Sequence, residues 1–205
     1  MYIPDSYKNE NQAEIEDFLK KNSFGILINH TRGKLWATHI PLELENKNGK
    51  AILCGHISKE NPQWKGFEDN DQVLAVFSGP HAYISSSWYD HENVPTWNYI
   101  AVHVYGKVKI VDEEATVAML KQLVDKYETD SENPVRVEDF SKKTMLQARG
   151  IVGFEIEIES IEATRKMSQN RDEKNFNIII EKLSETKTDN SVAVAEEMRR
   201  CPIHK

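Results

Sequence analysis

Residues of the types that chemistry needs fall together at several places in this chain. Pro95, Thr96, Trp97, Asn98 and Tyr99 place two large aromatics, a hydroxyl and an amide where a strand leaves a loop, so flat apolar surface meets hydrogen-bonding groups at one rim. Such a rim suits a planar polar ligand, although core or interface aromatics would read the same way. Gly55, His56, Ser58, Lys59 and Asn61 sit where a strand passes into a helical turn, so that a hydroxyl, an ammonium and backbone N–H groups could converge on an anion. Ser58 is equally well explained as a helix cap. Lys166, Ser168, Gln169, Asn170 and Arg171 follow an acidic strand as a dense donor cluster, able to grip a phosphate or the carbonyl edge of a heterocycle, or to stand in water as a solvated loop. Thr38 and His39, ahead of Pro41, are a further pair whose backbone could face a ligand; a lone histidine on a strand is more often a structural hydrogen bonder.

Other chemistries find no support. His30, His81, His91, His103 and His204 show no metal-ligand spacing. Asp90 and His91 lie beside Ser85, Ser86 and Ser87 on one loop, where sequence neighbours rarely reach triad geometry, and no nucleophile elbow is present, so a hydrolase is rejected. Cys201, Pro202 and His204 are similar to short haem-responsive motifs, but one Cys-Pro pair is too little to assign one. The chain has 205 residues with 26 Lys plus Arg against 33 Asp plus Glu, a net charge of −7. An acidic surface opposes a phosphate backbone unless a local basic patch overcomes it, and neither such a patch nor a helix-turn-helix is visible, so direct DNA binding is not expected. With no apolar leader or membrane span and with two distant cysteines, Cys54 and Cys201, the expected residence is the cytoplasm.

The elements that must position these groups are mostly strands. Ile100, Val102, Val104, Val108 and Ile110 alternate with His103, Tyr105, Lys107 and Lys109, the period of a half-buried strand in an antiparallel sheet. Before it, Gly25 to Asn29, Leu35 to Glu45 and Ala51 to Ile57 read as a three-strand meander joined by tight turns. A helical turn follows from Ser58 to Asn70, with Ser58 or Asn61 as cap and Trp64 and Phe67 pinning it to the sheet. Val73 to Phe77 is a further strand. Asn11 caps a short helix with Ile15, Phe18 and Leu19 on one stripe, and Asp112 caps a helix bearing Val117, Leu120, Leu123, Val124 and Tyr127. A second helix is expected around Phe140 to Ala148, then a strand of Phe154, Ile156 and Ile158 alternating with Glu155, Glu157 and Glu159, then a helix from about Asp172 to Leu183, a polar link and a C-terminal segment from Val192 to Arg200. At least six antiparallel strands with short turns curl into a small closed or nearly closed barrel capped by helices, an α+β chain that is mainly β.

Taken together, MYIP at the start, ATHIPL at 37–42, GHISKENPQW at 55–64, FSGPHAYISSSWY at 77–89, VPTWNY at 94–99 and KMSQNR at 166–171 resemble the PaiB family over nearly the whole chain to Arg171. The family looks like a branch of the FMN-binding antiparallel split β-barrels, related in fold to pyridoxamine phosphate oxidase and the flavin reductases. Its members are described as negative transcriptional regulators of sporulation and degradative-enzyme (protease) genes. The resemblance implies FMN as cofactor, a homodimer with the flavin at its interface, and either a flavin-dependent oxidoreductase or a flavin- or redox-responsive regulator acting through DNA or a protein partner. It implies that His56, Ser58 and Lys59 hold the phosphate, that the backbone of Thr38, His39 and Ile40 faces the isoalloxazine, that Trp97, Asn98 and Tyr99 complete the wall, and that Lys166, Ser168 and Gln169 close it. The arginine-rich phosphate clamp of the oxidases is absent. Residues 1–171, with a helical insertion at about 112–149, are expected to form the FMN-binding domain, and 172–205 a C-terminal helical extension packed on or beside the barrel.

Overall fold

A computed structural model describes residues 1–67, 72–201 and 203. In chain order it contains α1 (Gln12–Lys21), β1 (Phe24–Thr31), β2 (Lys34–Pro41), β3 (Glu43–Lys47), β4 (Lys50–Ser58), β5 (Gln72–Ile84), β6 (Thr96–Ile110), α2 (Glu113–Glu128), α3 (Lys142–Met145), β7 (Ile151–Lys166), α4 (Glu173–Thr186) and α5 (Asp189–Arg200). The strands form one sheet in the order β2-β1-β5-β6-β7-β4-β3, which does not close by a ladder between its ends. Alternation decides which face each strand buries. On β6, Val102, Val104 and Val108 are buried, and on β7 so are Phe154 and Ile156. The intervening Glu155, Glu157 and Glu159 are met by Lys47 of β3, Lys50 of β4 and Lys107 of β6. Gly106 is where β6 comes closest to β7, because a Cβ there would collide with the Glu157 carbonyl.

The expected meander is corrected. Leu35 to Glu45 is not one strand: β2 pairs with β1, β3 pairs with β4, and the two run to opposite ends of the sheet. Pro41 has no N–H with which to extend the ladder, and Leu42 is fully buried, its N–H donating to the Ser23 carbonyl at 2.8 Å. The break at Pro41 and Leu42 therefore splits the barrel. The helix expected around Phe140 to Ala148 is also shorter, with α3 giving way to a 3-10 turn at Leu146–Gly150; no residue of either is buried, so no packing rewards a longer helix.

The caps expected at Asn11 and Asp112 form, and α4 has one at Asp172 as well. Asn11 accepts from the Glu14 N–H, Asp112 from the Ala115 N–H and Asp172 from the Asn175 N–H. The chain divides into two compact units, the first of residues 1–18, 78–103 and 162–205, the second of 19–77 and 104–161. In the first, α4 and α5 supply Phe176, Ile179, Leu183, Val194 and Met198 to a core shared with Ala82, Ile84 and Met167. In the second, Phe67 meets Phe154 edge to face at 5.4 Å, which pins the turn after β4 to the sheet. No helix among the described residues is long and apolar enough to cross a membrane.

Candidate functional site

In the second unit the open end of β2 is tied to the turn after β4 by side chains. Asn61 donates from Nδ2 to the Thr38 hydroxyl at 2.9 Å, and that hydroxyl donates to the Gln63 Oε1. Gln63 is fully buried and spends its Nε2 on the Leu27 carbonyl of β1 at 3.0 Å, so one amide holds two strands and the turn together. The turn is a 3-10 element, Pro62–Gly66, and Asn61 caps it by accepting from the Gln63 N–H. Thr38 is thereby held within reach of the segment that carries Ser58 and Lys59. Ser58 accepts from the Glu60 N–H at 3.2 Å, and the Lys59 N–H donates to the Gly150 carbonyl at 2.8 Å. Among the described residues no carboxylate pairs with the Lys59 ammonium. His39 is exposed on β2, its ring stacked on Phe24 at 6.4 Å, and Ile40 is buried.

His56 and Lys59 do not open onto the same space. His56 lines a cavity of about 370 Å³ with Cys54, Glu45, Met119 and Leu123, whereas Lys59 lines one of about 300 Å³ with Trp64 and Arg149. Burial lowers the His56 pKa below its ordinary 6.5, which leaves the imidazole neutral at pH 7. Burial, with Glu45 and Glu155 adding to it, pushes the Cys54 thiol up to about 12, so it is no nucleophile.

In the first unit, Asn98 and Ser168 are buried against each other, Ser168 donating to Asn98 Oδ1 at 2.9 Å while Asn98 Nδ2 points to Met198 Sδ at 3.4 Å. Gln169 is equally committed: Oε1 accepts from the Met167 N–H and Nε2 donates to the Ser6 and Arg165 carbonyls. These three amide and hydroxyl groups brace the KMSQNR loop. Lys166 differs: its ammonium donates to the Thr96 hydroxyl and lies 5.7 Å from the centroid of the Tyr7 ring, with no carboxylate partner among the described residues. Burial and then the Arg171 charge lower its pKa. Trp97 is 52% exposed and meets Tyr83, itself 48% exposed, edge to face at 5.9 Å, with His81 at 6.1 Å. Tyr99 is half-buried. Sequence reading did not single out Gln63, which ties β1 and β2 to the turn, or Arg149, which lines the cavity beside Lys59, since a glutamine within a helical turn and an arginine in a polar helical turn carry no local sign of their distant partners.

The open seven-strand antiparallel sheet with its helices has the fold of the flavin-binding split-barrel proteins. Among solved structures, the flavocytochrome Anf3 from Azotobacter vinelandii superposes with a TM-score of 0.61 at 14% identity, over 86% of this chain and 78% of that one. The FAD and heme binding protein from Mycobacterium smegmatis does so with a TM-score of 0.60 at 12% identity, over 78% and 73%. Residues 1–160 match the family model described as "Putative FMN-binding domain", and the chain belongs to that family, with FMN as its cofactor. A Bacillus subtilis (strain 168) relative, "Protease synthase and sporulation protein PAI 2", is 44% identical over 199 residues, 97% of this chain and 96% of its own length. An uncharacterized protein of Emericella nidulans is 27% identical over 242 residues, with 97% and 96% covered. The family read from the six motifs is thus the family found.

Proposed function

We propose that this protein is a homodimeric FMN-dependent oxidoreductase of the cytoplasm, in which the flavin lies along β2 with its phosphate at the turn after β4. The observation that carries this reading is the 2.9 Å bond from Asn61 to Thr38, which puts the strand proposed for the ring beside the segment proposed for the phosphate. Among the described residues the end strand β2 has β1 as its one ladder neighbour, so the backbone groups that alternate away from β1 along Thr38, His39 and Ile40 are available to the polar edge of a heterocycle. Lys59 has no carboxylate partner among the described residues and Ser58, beside it, has a hydroxyl; these two fit a phosphate, whereas His56 opens onto the neighbouring cavity. The first unit, taken by itself, offers aromatic surface at Trp97 and Tyr99 and a cation at Lys166 suited to the carbonyl edge of a heterocycle, while Asn98, Ser168 and Gln169 hold that segment in place. Exposed Trp97 and Tyr83 form apolar surface that a second copy would cover. Bound FMN supplies two-electron transfer, and the chain supplies position and polarity.

Equilibrium dialysis followed by anaerobic addition of NADH or NADPH tests this. Retention of FMN at micromolar concentration and bleaching of its visible absorbance by either nucleotide are expected; retention without bleaching would reject the oxidoreductase and keep the cofactor. The 44% identity to a relative named for protease synthesis and sporulation favours a second reading, a flavin-responsive negative regulator of such genes. At a net charge of −7 that role runs through metabolism or a protein partner more readily than through DNA. Nanomolar binding to a defined promoter fragment at physiological salt would reverse that order.

A further inference from the structure

The cavity that Lys59 lines on one side is walled mostly by apolar side chains. Its walls are Ile110, Val111, Ile151 and Val152, and the Trp64 indole lines it as well. Trp64 is fixed there, because its Nε1–H donates to the Lys59 carbonyl at 3.0 Å. Lys59 and Arg149 are the two cations of the lining, and Lys65 sets a third ammonium 5.8 Å from the centroid of the Trp64 ring. Against them stands one acid, Glu113, whose carboxylate is 3.8 Å from Arg149 Nε with both side chains at least 70% exposed. An exposed pair of that kind contributes little and yields readily to another anion. Thr116 is the one hydroxyl in the lining, and it is already bonded to the Asp112 carbonyl at 2.7 Å.

We propose that this pocket is a binding site for a small aromatic carboxylate. A volume of about 300 Å³ admits a one- or two-ring compound. Apolar walls with an indole reward burial of a ring, and the cations answer a single negative charge that keeps part of its hydration. A phosphate dianion would have to shed more water than a carboxylate against isoleucine and valine, with only the Lys59 and Arg149 side chains to replace it, which is costly. The site is separate in its chemistry from the proposed flavin position and does not depend on that reading, although Lys59 borders both.

The test is titration of flavin-free protein with 1-naphthoate and with its neutral counterpart naphthalene-1-methanol, followed on the indole N–H resonances of the four tryptophans. Naphthoate is expected to shift the Trp64 resonance, assigned by its loss in Trp64→Phe, and to bind about tenfold more tightly than the alcohol. Arg149→Gln should remove most of that preference while leaving FMN binding as in wild type. Ala148→Phe, which adds a ring to the pocket lining, should abolish the shift. Equal binding of acid and alcohol, an unchanged preference in Arg149→Gln, or a loss of FMN affinity in Arg149→Gln equal to the loss for naphthoate would overturn the proposal, the last by making the pocket the phosphate end of the flavin site.

Discussion

The Thr38 hydroxyl on β2 donates to the buried side-chain carbonyl of Gln63, a residue beyond two further strands, and this contact ties the end strand β2 to the turn after β4 with no ladder between them. A side chain thus does at this seam what backbone pairing does elsewhere, and it does so beside the segment proposed to hold the phosphate.

Replacing Gln63 with Met keeps its volume and removes its amide. The Leu27 carbonyl and the Thr38 hydroxyl then lose their partner inside the protein, at a cost of about 1–3 kcal/mol. A lower urea midpoint at unchanged slope is expected. An unaltered midpoint would mean that water satisfies both groups and that the seam does not depend on Gln63.

Ser168 combines a buried hydrogen bond to Asn98 with a left-handed backbone, φ 57°. Ser168→Ala should destabilise by about 1–3 kcal/mol, because Asn98 Oδ1 loses its donor in the core. Ser168→Gly loses the same bond but relieves a conformation that costs a non-glycine residue about 1 kcal/mol or more, so it should be the milder of the two. Glycine proving as damaging as alanine would show that the backbone at 168 is unstrained.

Much of this fold could be read directly, and the exceptions have physical causes. Alternation on β6 and β7 and the caps at Asn11 and Asp112 are local, so the sequence displays them. The break at Pro41 and Leu42 was hidden by a run that stays extended on both sides of it, and only the pairing partners differ. Asn98 was read as a ligand neighbour because its amide drew attention. Yet it shares strand parity with Val102 and Val104, which already placed it on the buried face. Gln63 and Arg149 acquire their meaning from Leu27, Thr38 and Lys59, and no window around either residue contains those partners.

The lowered pKa of His56 has a consequence for stability. Burial makes the folded protein take up that proton less readily than the unfolded chain. The contribution is therefore complete above the unfolded value near 6.5 and is lost as the pH falls from there toward the folded value. His56→Gln, which cannot titrate, should flatten part of the fall in thermal midpoint between pH 7.5 and about 5.5. Identical slopes for the two proteins would mean that the imidazole is as easily protonated folded as unfolded.

Lys59→Ala should weaken FMN by about 1.5 to 3 kcal/mol, tenfold or more in Kd, while changing riboflavin little, since only FMN carries the phosphate. Calorimetric titration of both flavins decides it. Equal losses would move Lys59 away from the phosphate.

The divergence of β2 and β3 also orders events in time. Each forms a hairpin with a neighbour in the chain, β1 with β2 and β3 with β4, and such local pairs can assemble within microseconds. The other edge of β4 must wait for β7, as Ile52 pairs with Glu157 and Gly55 with Phe154. During synthesis that edge stays open until the strand beginning at Ile151 has left the ribosome, so β4, with its apolar run through Ile52, Leu53 and Cys54, is the segment of the nascent chain most in need of protection from aggregation.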